Sequence, residues 1–173
     1  MSKLPAILGG GDLRSIGISN QIARRVIKAP RLFSDLFICL LHGDRLVRMR
    51  AADAVEKVTR EHPEWLQPWK RCLLDDIACR QEQELRWHVA QLLPRLRMSA
   101  AEKRQAVTIL HDYLEDKSSI VRTFSMQALV DLSVDDPELR DAIFPLIERL
   151  TRTGTPAMKA RGRKLLRRLD GVY

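Results

Sequence analysis

Apolar residues recur along this chain at the spacing of one helix face, and that face returns four times. With Arg48, Arg86, Arg122 and Arg161 aligned, the preceding residues are Val47, Leu85, Val121 and Ala160. Four residues after each arginine stand Ala52, Ala90, Met126 and Leu165, and seven after it stand Val55, Leu93, Leu129 and Arg168. Three of the four rows keep an apolar stripe, which at this spacing is one side of a helix. The arginines step by 38, 36 and 39 residues. A period near forty with two helices per unit is the pattern of a helical repeat array.

The elements follow from the same pattern. Residues 1–17 read as an irregular arm, because Gly9-Gly10-Gly11 disfavours a helix. Ser19 is placed to cap a helix from about Asn20 to Lys28, and Pro30 ends it. Four helix pairs are then predicted: Arg31–His42 with Asp44–Arg60, Pro63–Cys79 with Gln81–Leu96, Ala100–Glu115 with Ser118–Leu132, and Pro137–Arg152 with Pro156–Leu169. Gly43 is expected to stop the first of these by taking positive φ, and Asp44 to cap the second. Ser99-Ala100-Ala101-Glu102 has the spacing of a capping box. Pro68 and Pro94 should kink their helices, and Trp65 and Trp69, four apart, should share a packing face.

The run Gly43-Asp44-Arg45-Leu46-Val47-Arg48-Met49-Arg50-Ala51-Ala52-Asp53-Ala54-Val55 resembles the second helix of a HEAT repeat, and Lys117 to Arg122 followed by Ala128 to Leu132 repeats it. The copies at Leu85-Arg86 and Ala160-Arg161 keep less of the pattern. The resemblance spans roughly residues 31 to 169 and extends to small stand-alone bacterial HEAT proteins. It implies an all-α fold: a short right-handed α-α solenoid of four pairs plus an N-terminal helix, with 18–173 as a single domain. It also implies a ladder in which acids and arginines of successive repeats pair. In it Asp44 would pair with Arg48 or its neighbours, and Glu82 with Arg86 or Arg122.

Composition narrows the class. The chain has 173 residues, 45% hydrophobic and 30% charged, enough for a sizeable core. Its longest apolar run, Leu36 to Leu41, is too short to span a bilayer, and no signal-peptide core is readable near the start. Cys39, Cys72 and Cys79 lack metal-ligand spacing and read as buried thiols of a cytoplasmic protein. No metal or cofactor is expected. Net charge is +8 and is uneven: residues 1–60 carry +6, 61–152 carry −3 and 153–173 carry +5. Such an excess suits an anionic partner.

In a solenoid the second helices line one inner surface. The position two after each key arginine is expected to face outward there and holds Arg50, His88, Phe124 and Arg163, with Trp87 and Arg95 nearby. This basic and aromatic stripe suits a protein partner, in which aromatic residues and arginine carry most affinity. That gives the first functional expectation, a non-catalytic scaffold. The alternative is nucleic-acid binding through the stripe and through the basic last helix, with Lys159, Arg161, Lys164, Arg167 and Arg168. A third expectation rests on resemblance alone. HEAT-like alkylpurine DNA glycosylases hold a damaged base with Trp, Asp and Arg, for which Trp87, Asp53 and Arg86 are nominees. Their surrounding sequence departs from that family. HEAT-type di-iron hydroxylases need His-Glu dyads, and none of His42, His62, His88 and His111 is followed by Glu.

Overall fold

Short helices are unstable alone in water, so each must bury a face and satisfy its terminal N–H groups. The computed structural model describes residues 3–9 and 17–171, and among these residues every regular element is helical and none is a strand. The chain divides into two compact units, Met1–Arg97 and Met98–Tyr173.

The first unit is built around α4 (Arg45–Glu61). Nearly its whole circumference is buried, from Leu46 and Val47 through Ala51, Ala52, Ala54, Val55 and Val58. Small alanines on several sides let neighbours approach closely. Packed on α4 are α1 (Leu4–Leu8), α2 (Ser19–Lys28), α3 (Phe33–Ile38) and α6 (Gln83–Leu92). The expected irregular arm therefore contains one helical turn, α1, while its Gly10–Ile16 stretch lies outside the described residues. Asp44 caps α4 as anticipated, its carboxylate accepting from Leu46 N at 2.8 Å. Ser19 does not cap α2. It lies inside the helix, Ile18 precedes it without a side-chain cap, and the Ser19 hydroxyl donates to Asp53 of α4 instead. Gly43 does not take positive φ. The preceding helix ends because His42 is extended, with ψ 150°.

In the first unit the first helix of each pair is less regular than the second. α3 is flanked by 3-10 turns, Pro30–Leu32 and Cys39–Leu41. Pro63–Trp69 is entirely 3-10, α5 (Lys70–Cys72) is one short turn, and Leu73–Ile77 is wound as π-helix. Pro68 has no N–H for the α ladder, so the tighter winding there is the predicted distortion. Pro94 acts likewise, and α6 passes into a 3-10 turn at Leu93–Arg95. Trp65 and Trp69 are packing residues. Trp65 meets Phe33 edge-on at 5.5 Å and stacks on His62 at 4.3 Å, and Trp69 stacks on Phe37 at 4.6 Å.

The second unit contains α7 (Ala100–Leu114), α8 (Ser119–Leu132), α9 (Pro137–Thr153) and α10 (Pro156–Leu169). The capping box is present: Glu102 N donates to Ser99 Oγ, and Ser99 N donates to Glu102 Oε2 at 2.7 Å. Asp136 caps α9 through Leu139 N at 3.0 Å, and α9 continues past Pro145 without interruption. α7 packs on α8, α9 on α10, and α8 on α10.

The stripe residues of the first three rows, Val47, Ala52, Val55, Leu85, Ala90, Leu93, Val121, Met126 and Leu129, are at most 1% exposed. In α10 the register differs, and Met158, Gly162 and Leu165 face inward. Of the cysteines, Cys39 is buried, Cys72 half-buried and Cys79 exposed, so the expectation of three buried thiols holds only for the first. Burial, with Asp35 adding to it, pushes the Cys39 thiol up to about 11.

Candidate binding surfaces

Two of the four aligned arginines, Arg48 and Arg86, bind the loop that precedes their own helix. Arg48 donates to the His42 and Gly43 carbonyls at 2.6 and 2.8 Å and pairs with Glu82 of the next helix pair. Arg45 pairs with Glu84 at 2.7 Å. Burial opposes the Glu82 carboxylate, but backbone and Arg48 hydrogen bonds outweigh it and hold its pKa below the ordinary value. Arg86 turns back on its own loop, to Arg80 O at 2.9 Å and Gln81 Oε1 at 2.7 Å. Arg122 Nε is buried without a hydrogen-bond partner among the described residues. The pairings expected of the ladder are replaced: Glu82 pairs with Arg48 rather than with Arg86 or Arg122, and Asp44 serves as a helix cap.

A largely buried polar network joins α4 to α2 on one side and to α6 and the turn after it on the other. Asp53 accepts from Ser19 and, at 2.5 Å, from Lys57, which also donates to Asn20 Oδ1 at 2.5 Å. Glu56, its side chain 5% exposed, pairs with Arg95 at 2.5 Å and Arg60 at 2.7 Å. Arg95 also donates to Glu56 O and to Thr59 Oγ1. Burial alone would raise the Glu56 carboxyl; the hydrogen bonds from Arg95 and Arg60 reverse the sign and lower it. His88 is 6% exposed, its Nδ1 has no hydrogen-bond partner among the described residues, and its ring meets Trp87 edge-on at 4.9 Å. Burial drives the imidazole pKa down to about 4, opposed by Asp53 and Glu56 and assisted by Lys57 and Arg95. Each carboxylate here is matched by a cation and the imidazole is neutral, so little charge remains to hold a ligand.

This corrects the expected inner stripe. Arg50 and His88 are buried rather than outward-facing, Arg95 is held by Glu56, and Trp87 is half-buried. The physical reason is packing: α1 covers Arg50 on α4, and His88 of α6 lies against Asp53 and Glu56 of α4. Arg50 donates to Leu8 O at 2.9 Å. Two of the three residues nominated for base excision are likewise committed to their own chain, Asp53 to Ser19 and Lys57, and Arg86 to Arg80 and Gln81.

No family model matches this chain, and no curated protein or solved structure matches it either.

The second unit keeps its cations accessible. Phe124 is half-buried, with the Arg161 guanidinium 5.8 Å over its ring. Arg161 also donates to Gln127 Oε1 at 2.7 Å, and Arg168 pairs with Asp131 at 2.5 Å. These contacts hold one flank of α10 to α8. Arg163, Lys164 and Arg167 are exposed, and none pairs with a carboxylate among the described residues. Lys159 is half-buried at the start of the same helix. In the first unit, α2 carries a second basic face of exposed Arg24, Arg25 and Lys28. Among the described residues no group of three His, Cys, Asp or Glu side chains is gathered as a metal site, and no helix is long and apolar enough to cross a membrane.

Sequence reasoning missed the Ser19–Asp53–Lys57 and Glu56–Arg95 links. A signal existed for the second. Glu56 and Arg95 are 39 residues apart, one repeat step, and Glu56 and Arg60 are an i,i+4 pair.

Proposed function

We propose that this chain is a HEAT-like α-solenoid protein, a non-catalytic binding module, and that the basic face of α10 receives a nucleic-acid backbone. The repeat reading is supported inside each unit by side-by-side second helices, α4 on α6 and α8 on α10. Their polar contacts join residues 34 to 39 apart, as Gln127–Arg161 and Arg45–Glu84 do. The single observation that carries the ligand class is the cluster Arg163, Lys164 and Arg167, exposed and unmatched by acid among the described residues, while Lys57 and Arg95 of the first unit are paired with carboxylates. Phosphate neutralisation releases counterions, so affinity must fall steeply with salt.

Anisotropy of a labelled oligonucleotide, titrated with the full-length protein over a salt series, tests this. Binding is expected at low salt. Arg163→Gln/Lys164→Gln/Arg167→Gln should weaken it and flatten the log–log salt slope by roughly 2 to 3. Absence of binding at low salt, or a triple variant that binds like wild type, refutes the reading. Equal affinity for polyglutamate and oligonucleotide also refutes it and assigns the face to acidic proteins.

A further inference from the structure

Residues 17–34, which contain α2, include no aspartate or glutamate. The apolar positions Ile22, Ala23 and Val26 are buried and pack the helix on α4. What α2 leaves outside is polar. Asn20, Gln21, Arg24, Arg25 and Lys28 are exposed, and Asn20 accepts from Lys57 of α4. Arg31, three residues past Lys28 in the turn Pro30–Leu32, is exposed as well. None of Arg24, Arg25, Lys28 and Arg31 pairs with a carboxylate among the described residues. By contrast, Arg45, Arg48, Lys57, Arg60 and Arg95 of the same unit each hold one. Arg24 and Lys28 stand one helical turn apart, about 6 Å along the axis. Arg25 and Lys28 lie in the last turn, where the helix dipole favours cations. That accounts for two of the four and leaves Arg24 and Arg31.

We propose that this face of α2 is a second nucleic-acid contact, separate from α10, which binds the phosphates of a strand and leaves its bases unread. The ligand class rests on the reading of α10, whereas the site stands on its own residues. The chemistry of the face selects among anionic partners. A protein interface draws its affinity from apolar or aromatic anchors at its centre. An amphipathic helix on a lipid surface keeps large apolar side chains for the acyl boundary. On α2 those side chains are committed to the protein itself, Ile22 and Val26 being buried and Ile27 half-buried. The exposed side offers guanidinium, ammonium and amide groups, the donors that phosphate oxygens accept from in nucleic-acid complexes. Arginine adds a forked pair of donors matched to a phosphate.

The probe is a labelled single strand of about eight nucleotides, within the size of one small binding site. Titrated at low salt, the full-length chain should take two strands, and Arg24→Gln/Arg25→Gln/Lys28→Gln should take one. Arg163→Gln/Lys164→Gln/Arg167→Gln should also keep one, with a log–log salt slope of roughly −2 to −3 from the cations of α2. Both sets together should abolish binding. Every substituted residue is exposed, so each variant should fold, which circular dichroism verifies. Acetylation of Lys28, followed by mass spectrometry, reads the site in the wild-type chain, and saturating strand should suppress it. Unchanged acetylation of Lys28 overturns the proposal, as does an α2 variant that matches wild type in stoichiometry and affinity. An α10 variant that binds nothing also overturns it and leaves the α10 reading standing. An α10 variant equal to wild type, beside an α2 variant that binds nothing, does the reverse. Polyglutamate or phosphatidylserine vesicles that protect Lys28 as well as the strand does overturn the ligand class.

Discussion

Acidification should loosen the first unit through one side chain before any carboxylate contributes. His88 sits among Asp53, Glu56, Lys57 and Arg95 with its charged form disfavoured by burial, and its pKa falls from 6.5 to about 4. Once unfolded, the same imidazole titrates near its ordinary value. Between the two pKa values the unfolded chain therefore binds more protons than the folded one, and stability drops as pH falls. Stability should be full above about pH 6.5. At pH 5 the loss works out at about 2 kcal/mol, rising to about 3 kcal/mol at pH 4. Glu56, Glu82 and Glu84 have lowered values, so they lose stabilisation only as pH falls through still lower values. The interval from pH 6.5 to 5 thus isolates the imidazole. Urea unfolding followed by circular dichroism at pH 7, 6 and 5 measures it, and about 2 kcal/mol should move the midpoint by about 1 M. His88→Gln removes the titrating group, and its midpoint should be nearly level over that interval. A wild-type midpoint that stays level from pH 7 to 5, or an equal slope in the variant, refutes the reasoning.

Two further outcomes follow from the packing. Glu56→Ala leaves the half-buried Arg95 without its counterion and should cost about 2 kcal/mol in urea unfolding, whereas Arg60→Ala, which removes a partner whose side chain is 66% exposed, should cost under about 1 kcal/mol. In the second unit, a Cβ on Gly162 would overlap Thr151 Oγ1, so Gly162→Ala should force α9 and α10 apart and lower stability by about 1 to 3 kcal/mol, with Thr151→Ala restoring part of it.

Much of the local structure was written in the residues themselves. Asp44, Asp136 and Ser99 cap the helices they precede because a short polar acceptor beside orphan N–H groups has little else to do. Val47, Ala52 and Val55 and their counterparts are buried because helical spacing leaves an apolar stripe one place to go. The near-forty step even anticipates which residues touch, since Arg45–Glu84 and Asp131–Arg168 are 39 and 37 apart. Those properties depend on neighbours within a turn or on a regular step along the chain. What a residue two places past the arginine sees depends on what covers it, and only the tertiary structure decided that. Leu4 and Leu8 bring α1 onto α4, so Arg50 is a buried donor to carbonyls rather than a surface cation. Ser19, read as a cap, is instead drawn to Asp53, 34 residues away. The cations of α10 escape this fate because helical geometry gives that helix only one buried stripe, Met158, Gly162 and Leu165, and Arg163, Lys164 and Arg167 lie off it. A sequence specifies which groups must be satisfied, but the partner that satisfies each is chosen by whichever distant segment packs closest.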